Sequence, residues 1–146
     1  NAAVDAIDIS PEALEVARRN IADYGLEDRL HAIESDLFAK AKGRRYDLII
    51  CNPPYVTAAA MEALPAEYRH EPALALAAGR DGLDVVRRIL DQARKHLNPR
   101  GVIAIEVGHN QELVNEAFPD LPAVWLDTEH ADGKVFVLTR EDLPGR

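Results

Sequence analysis

The run Asn52-Pro53-Pro54-Tyr55 places an amide, a carbonyl on a residue without its own N–H, and an aromatic ring side by side. The Asn52 side-chain oxygen and the Pro53 carbonyl are two acceptors at one point. Together they can hold both hydrogens of a planar –NH2 group. Tyr55 can stack on the flat amide or base that carries that group. The prolines restrict the backbone, so the acceptors need little ordering when a ligand arrives. The plainer reading of these residues is a rigid loop with a capping asparagine.

Two acids can add to this chemistry. Asp8 closes the apolar run that starts at Val4 and stands just before Ser10-Pro11. In nucleotide-binding sheets an acid at such a strand end accepts hydrogen bonds from ribose hydroxyls. A helix-cap acid or a solvated loop charge is the alternative. Asp36, in Ser35-Asp36-Leu37-Phe38, follows a second short apolar stretch. Its carboxylate can accept from an adenine amino group, while Leu37 and Phe38 pack on the base or on the sheet.

The elements that must position these residues follow from periodicity. Residues 4–9 read as a strand. Ser10 caps a helix with Pro11 in its first turn, and Leu14, Ala17, Ile21 and Tyr24 recur at helical spacing as the face turned to a sheet. Gly25 is the expected stop. Residues 29–36 form a weaker strand. Residues 46–51 are apolar almost without alternation, as in a parallel strand covered on both faces. Two prolines cannot extend that strand, so Asn52 and Pro53 fall in a stiff loop at its carboxyl end. Ligands of open α/β sheets bind at that edge. Residues 55–82, broken by Pro65 and Pro72, are too long for an ordinary connection and suggest a substrate-facing excursion.

Residues 83–97 predict an amphipathic helix with Leu83, Val86, Ile89, Leu90, Ala93 and Leu97 as its stripe. Asn98–Gly101 reads as a turn, 102–108 as a strand and 110–118 as a short helix. Two late strands around Ala131-Asp132-Gly133 read as antiparallel neighbours. The sum is an α/β domain with a mostly parallel sheet.

Composition narrows the function. The 146 residues suit one domain, and a net charge of −8 argues against broad phosphate-driven binding of nucleic acid. Cys51 is the single cysteine, so a disulfide framework is excluded. No apolar run has membrane-spanning length, and a cytoplasmic, membrane-free protein is the expectation. The five histidines show no metal-ligand spacing, and no metal is expected.

The motifs Ala6–Ser10 (AIDIS), Ser35–Phe38 (SDLF), Asn52–Val56 (NPPYV), Glu71–Leu76 (EPALAL), Gly79–Leu83 (GRDGL) and Ile105–Gly108 (IEVG) follow one another along nearly the whole chain. In that order they resemble the protein-glutamine N5-methyltransferases, class I methyltransferases that use S-adenosylmethionine. NPPY alone would also admit adenine-N6 methyltransferases of nucleic acid; the later Glu-Pro and Gly-x-Asp-Gly runs point to glutamine.

The resemblance implies a Rossmann-like sheet in the order 3-2-1-4-5-7-6 with an antiparallel C-terminal hairpin. It assigns S-adenosyl-L-methionine to Asp8, Asp36, Leu37 and Asn52, and catalysis to Asn52, Pro53 and Tyr55. It assigns substrate binding to Asn52, Pro53, Pro54, Tyr55, Glu71 and Pro72. Glu106 is expected to brace the catalytic loop or to make a simple strand-end hydrogen bond. Residues 64–84 (LPAEYRHEPALALAAGRDGLD), chiefly through Glu67–Pro72 (EYRHEP), resemble the branch that modifies ribosomal large-subunit protein 3; the branch acting on peptide release factors is the alternative partner. The glycine-rich loop of such enzymes, the strand before it and an N-terminal recognition domain would all precede residue 1. Residues 1–146 are therefore expected to be a partial catalytic domain. A non-catalytic binding domain stays open as a further reading.

Overall fold

The computed structural model describes residues 2–55, 81–127 and 133–145. The chain divides into two compact units, Asn1–Arg44 and Arg45–Arg146.

The first unit holds strand β1 (Val4–Asp8), helix α1 (Pro11–Asp23) and strand β2 (Leu30–Glu34). Ser10 is extended, and its Oγ accepts from the Ala13 N–H at 3.2 Å, which starts α1 as expected. Gly25 ends it with φ +61°. The Gly25 N–H donates to Ala22 and the Leu26 N–H to Ile21, at 3.0 and 2.9 Å, the paired bonds of a Schellman stop. Leu14 and Ile21 are buried. Tyr24 is not part of that face: it is 79% exposed, because it sits at the cap where the chain leaves helical geometry. Strands β1 and β2 run parallel, from Val4 opposite Leu30 to Asp8 opposite Glu34.

The second unit carries β3 (Tyr46–Cys51), α2 (Asp84–Ala93), a 3-10 turn (Arg94–His96), β4 (Leu97–Glu106), α3 (Gln111–Ala117), β5 (Val124–Leu126) and β6 (Val135–Thr139). Its sheet order is β3-β4-β6-β5, with β3 parallel to β4 and β6 antiparallel to both of its neighbours. With the chain's β1 as the second strand of the implied order, the pairs found are 3-2 and 4-5-7-6, the two runs that flank its first strand. The late hairpin is antiparallel as expected, and Trp125 faces Phe136 across it with ring centroids 5.2 Å apart.

All six residues of the expected helical stripe, Leu83, Val86, Ile89, Leu90, Ala93 and Leu97, are buried. The helix itself is shorter than the pattern suggests, and Leu97 already begins β4. Arg94 fixes this junction, donating from Nη1 to the carbonyls of Arg140 at 3.2 Å and Leu143 at 2.6 Å. The Asn98–Gly101 turn lies inside β4 as a bulge: Tyr46 pairs with Leu97, yet Leu48 pairs with Val102. Asn98 Nδ2 ties the bulge to Asp47 Oδ1 at 2.8 Å.

The expectation that β3 is covered on both faces is corrected. Leu48 is 54% and Ile50 76% exposed. These side chains share one face of a strand at the edge of its sheet, so β3 has one strand neighbour among the described residues. The apolar run reflected a face that the described residues of this unit leave open.

Asp81 and Gly82 explain the start of α2. Asp81 Oδ1 accepts from the Leu83 N–H at 3.1 Å and from Arg87 Nη1 at 3.0 Å, while Arg87 Nη2 donates to Asp81 Oδ2. The Arg87 guanidinium and the Leu83 N–H hold the Asp81 carboxyl at about 2, against an ordinary 3.8. A carboxyl depressed in the folded state adds stability above its unfolded value and loses it as pH falls toward the folded one. The two side chains are 38% and 40% exposed, so water and salt screen the pair. Urea midpoints should therefore fall more steeply between pH 4 and about 2 in the wild type than in Asp81→Asn, and the difference should shrink in high salt. Parallel acid limbs for the two proteins would contradict this role.

Candidate active site

In the first unit the carboxyl ends of β1 and β2 bring Asp8 beside the Ser35–Phe38 turn. The Ser35 N–H donates to the Asp8 carbonyl at 2.9 Å, so the two strand ends are bonded one residue before Asp36. Ser35 is 4% exposed, and its Oγ accepts from the Lys40 N–H at 2.9 Å, closing the turn. Sequence reasoning quoted Ser35 without a role; a serine opening a loop that returns within five residues was the available signal. Inside the turn Leu37 has φ +48°, a left-handed conformation unusual for a branched side chain. Phe38 is buried, whereas Asp36 is exposed.

Asp8 has the capping role that the sequence left open. Its Oδ1 accepts from the Ser10 N–H at 2.8 Å, just ahead of α1. The carboxylate is also exposed at the strand end, so capping and ligand binding are compatible. Asp8 and Asp36 supply acceptors at adjoining strand ends. That donor-poor, acceptor-rich pair suits the hydroxyls and amino group of a nucleoside.

In the second unit Asn52 follows directly on β3 and is exposed, Pro53 is buried, and Pro54 and Tyr55 are half-buried. The described peptide bonds are all trans. Cys51, the last residue of β3, directs its Sγ to the Ala104 carbonyl at 3.6 Å, and burial pushes its thiol up to about 12. It is packing, not a nucleophile.

The parallel pairing Cys51–Ile105 brings the loop after β3 and the turn after β4 out at one sheet edge. Among the described residues, the side chain that reaches the loop from that turn is Asn110, whose Nδ2 donates to the Tyr55 carbonyl at 2.8 Å. The brace expected from Glu106 is thus supplied four residues later. Glu106 pairs with Val135 as a β4 residue. Glu71 and Pro72 lie outside the described residues, as do His70 and His130. Among the described residues there is no cluster that could hold a metal ion and no helix long and apolar enough to cross a membrane.

Residues 1–68 match the family model described as methyltransferase small domain. Over 145 residues the chain is 54% identical to the ribosomal protein uL3 glutamine methyltransferase of Neisseria meningitidis serogroup A, covering 99% of this chain and 48% of that one. Its counterpart of the same name in Bradyrhizobium diazoefficiens is 57% identical over 143 residues, covering 98% and 45%. The chain spans about half the length of the curated relatives it matches. Among solved structures, a methyltransferase from Pyrococcus furiosus superposes with a TM-score of 0.62 at 22% identity, covering 94% of this chain and 62% of that one. A T. thermophilus 16S rRNA methyltransferase in complex with AdoMet and guanosine superposes at 0.60 and 18% identity, covering 95% and 31%. At these identities the likeness establishes the Rossmann-like methyltransferase fold.

Ser35→Ala removes the acceptor for the buried return of the Asp36 turn. It should cost about 1 kcal/mol of stability, read from urea midpoints. If Asp36 addresses a nucleoside, adenosine binding by the full-length protein should weaken with it. An unchanged midpoint would contradict the role given to Ser35.

Proposed function

We propose that the chain is a member of the protein-glutamine methyltransferases, a reading supported by its 54% and 57% identity to two ribosomal protein uL3 glutamine methyltransferases, and that the protein transfers a methyl group from S-adenosylmethionine to the side-chain amide nitrogen of a glutamine in ribosomal protein uL3. The observation that carries the reading is Asn52-Pro53 at the carboxyl end of β3, with Asn52 exposed and the Pro53–Tyr55 backbone held by packing and by Asn110.

The acceptors Asp8 and Asp36 would hold the ribose and adenine of the cofactor, with Leu37 packing beside the base. When bound, the cofactor supplies an electrophilic methyl group on a sulfonium. A glutamine amide is a weak nucleophile because its lone pair is delocalised, so this chain's residues must supply orientation and charge stabilisation. Asn52 Oδ1 and the Pro53 carbonyl accept the two amide hydrogens and aim the nitrogen's lone pair. As the new nitrogen–carbon bond forms and the methyl–sulfur bond breaks to leave a neutral thioether, the nitrogen becomes positive and both hydrogen bonds strengthen, which favours the transition state over the ground state; the acidified nitrogen then loses its extra proton to water. Tyr55 flanks the amide plane, and Pro54 keeps the loop extended. Glu71 and Pro72 complete the substrate-binding set in this reading.

Full-length protein given cofactor carrying a labelled methyl group should place label on a glutamine of uL3. Label on release factor instead would move the partner; label on adenine in nucleic acid, with none on protein, would overturn the reading. Asn52→Ala should lower kcat by the equivalent of about 2–4 kcal/mol, the cost of one preorganised transition-state hydrogen bond. Cofactor affinity, measured by calorimetry, should stay within about threefold, since the lost bond belongs to the amide rather than to the nucleoside. Equal losses in both would give Asn52 the cofactor-binding role that the resemblance also assigns to it, in place of the amide role.

A further inference from the structure

Asn110 stands at the cap of α3, where an asparagine normally accepts a hydrogen bond from the first turn of the helix. Here it makes no such bond. Its amide instead donates across 55 positions of sequence to the Tyr55 carbonyl, at 2.8 Å. The helix forgoes a stabilising cap, and the loop after β3 gains a tether.

Two residues earlier, Gly108 lies under the Tyr55 ring. A Cβ at this position would fall 2.5 Å from Cε2 and 2.8 Å from Cζ of Tyr55. The φ of +57° independently disfavours any other residue there. Backbone and ring of Tyr55 are therefore both set by one turn. That turn is itself anchored: Val107 is fully buried, and its N–H donates to the Lys134 carbonyl at 2.9 Å. The Asn110 N–H closes the turn on the Val107 carbonyl at 3.2 Å, and the Asn110 carbonyl receives the Val114 N–H at 2.9 Å.

We propose that Gly108 and Asn110 are positioning residues for methyl transfer. They form a two-point clasp on Tyr55 that fixes the direction of Asn52 Oδ1 and the Pro53 carbonyl. The inference rests on the amide-transfer reading above and adds the residues that make its acceptor pair rigid. In this reading both residues act on the substrate only through Tyr55. Their effect passes through the short, proline-stiffened stretch from Tyr55 back to Asn52, where little slack separates a displaced carbonyl from a displaced acceptor.

The test uses a substitution that separates positioning from folding. Asn110→Asp keeps the shape of the side chain and suits the start of α3 as a cap, so stability should hold or rise. It removes the N–H donor and sets a carboxylate against the Tyr55 carbonyl. In the full-length protein, with labelled cofactor and uL3, the single-turnover transfer rate should fall about tenfold, roughly one lost hydrogen bond. The KM for uL3 and the cofactor Kd should stay within about twofold. Asn110→Gln, which retains a donor, should recover part of the rate.

In an Asn52→Ala background the Asn110→Asp effect should shrink below about threefold, because one of the two acceptors being aimed is gone and the Pro53 carbonyl alone no longer fixes the amide. Gly108→Ala, tested separately, should also slow transfer by displacing the ring. Normal transfer by Asn110→Asp, alongside impaired Asn52→Ala, would overturn the clasp and leave the amide-transfer reading intact. A rate loss matched by a fall in the unfolding midpoint, or a full effect of Asn110→Asp without Asn52, would also overturn it. Normal transfer by Asn52→Ala would instead remove the reading on which the clasp stands.

Discussion

The parallel pairing of β3 with β4 is the constraint on which the candidate transfer site depends. Leu48, Ile49, Ile50 and Cys51 lie opposite Val102, Ile103, Ala104 and Ile105 in unbroken register. Parallel strands finish at the same edge, so Asn52 and Val107 begin their loops side by side. A one-residue slip would turn Ile103 and Ile105, both fully buried, toward the opposite face. Burial of those two side chains thus enforces the alignment that brings the Tyr55 carbonyl within reach of Asn110. The bulge at Asn98–Gly101 absorbs the extra residues of β4 before this register begins, away from the strand ends that carry the loops.

The same device operates independently in the first unit. Parallel register ends with Asp8 opposite Glu34, and the next bond, from the Ser35 N–H to the Asp8 carbonyl, leaves both candidate cofactor acids at adjoining strand ends. Each unit has a short turn closed by a part-buried polar contact: Ser35 with Lys40 in one, and Asn110 with Tyr55 in the other. The candidate ligand-facing side chains of Asp8, Asp36 and Asn52 stay exposed beside these turns. Preorganisation of this kind moves the ordering cost from ligand binding to folding.

Local chemistry made much of this legible in the sequence. Ser10-Pro11 and Gly25 marked the ends of α1 through capping and left-handed geometry, and the α2 stripe through helical spacing. What failed depended on tertiary context. Tyr24 fits the periodicity of α1, but the Schellman turn releases the chain before that side chain reaches the buried face. The apolar Leu48 and Ile50 suggest two covered faces, yet apolar type alone does not say which neighbours cover them. Gly79–Leu83 reads as a family motif, and its described part, Asp81, Gly82 and Leu83, builds the start of a helix. Asn110 was invisible for a simpler reason: an asparagine before a short helix looks like a cap, and only the fold shows its amide spent elsewhere. Glu71 and Pro72 rest on resemblance alone.

The central claim is that Asn52 and Pro53 hold the two hydrogens of a glutamine amide. The most direct measurement is a crystal structure of the full-length protein with S-adenosylhomocysteine and a uL3 peptide containing the accepting glutamine. The account predicts the amide nitrogen within about 3 Å of both Asn52 Oδ1 and the Pro53 carbonyl oxygen. An amide nitrogen held by other groups, with Asn52 and Pro53 turned away from it, would contradict the account.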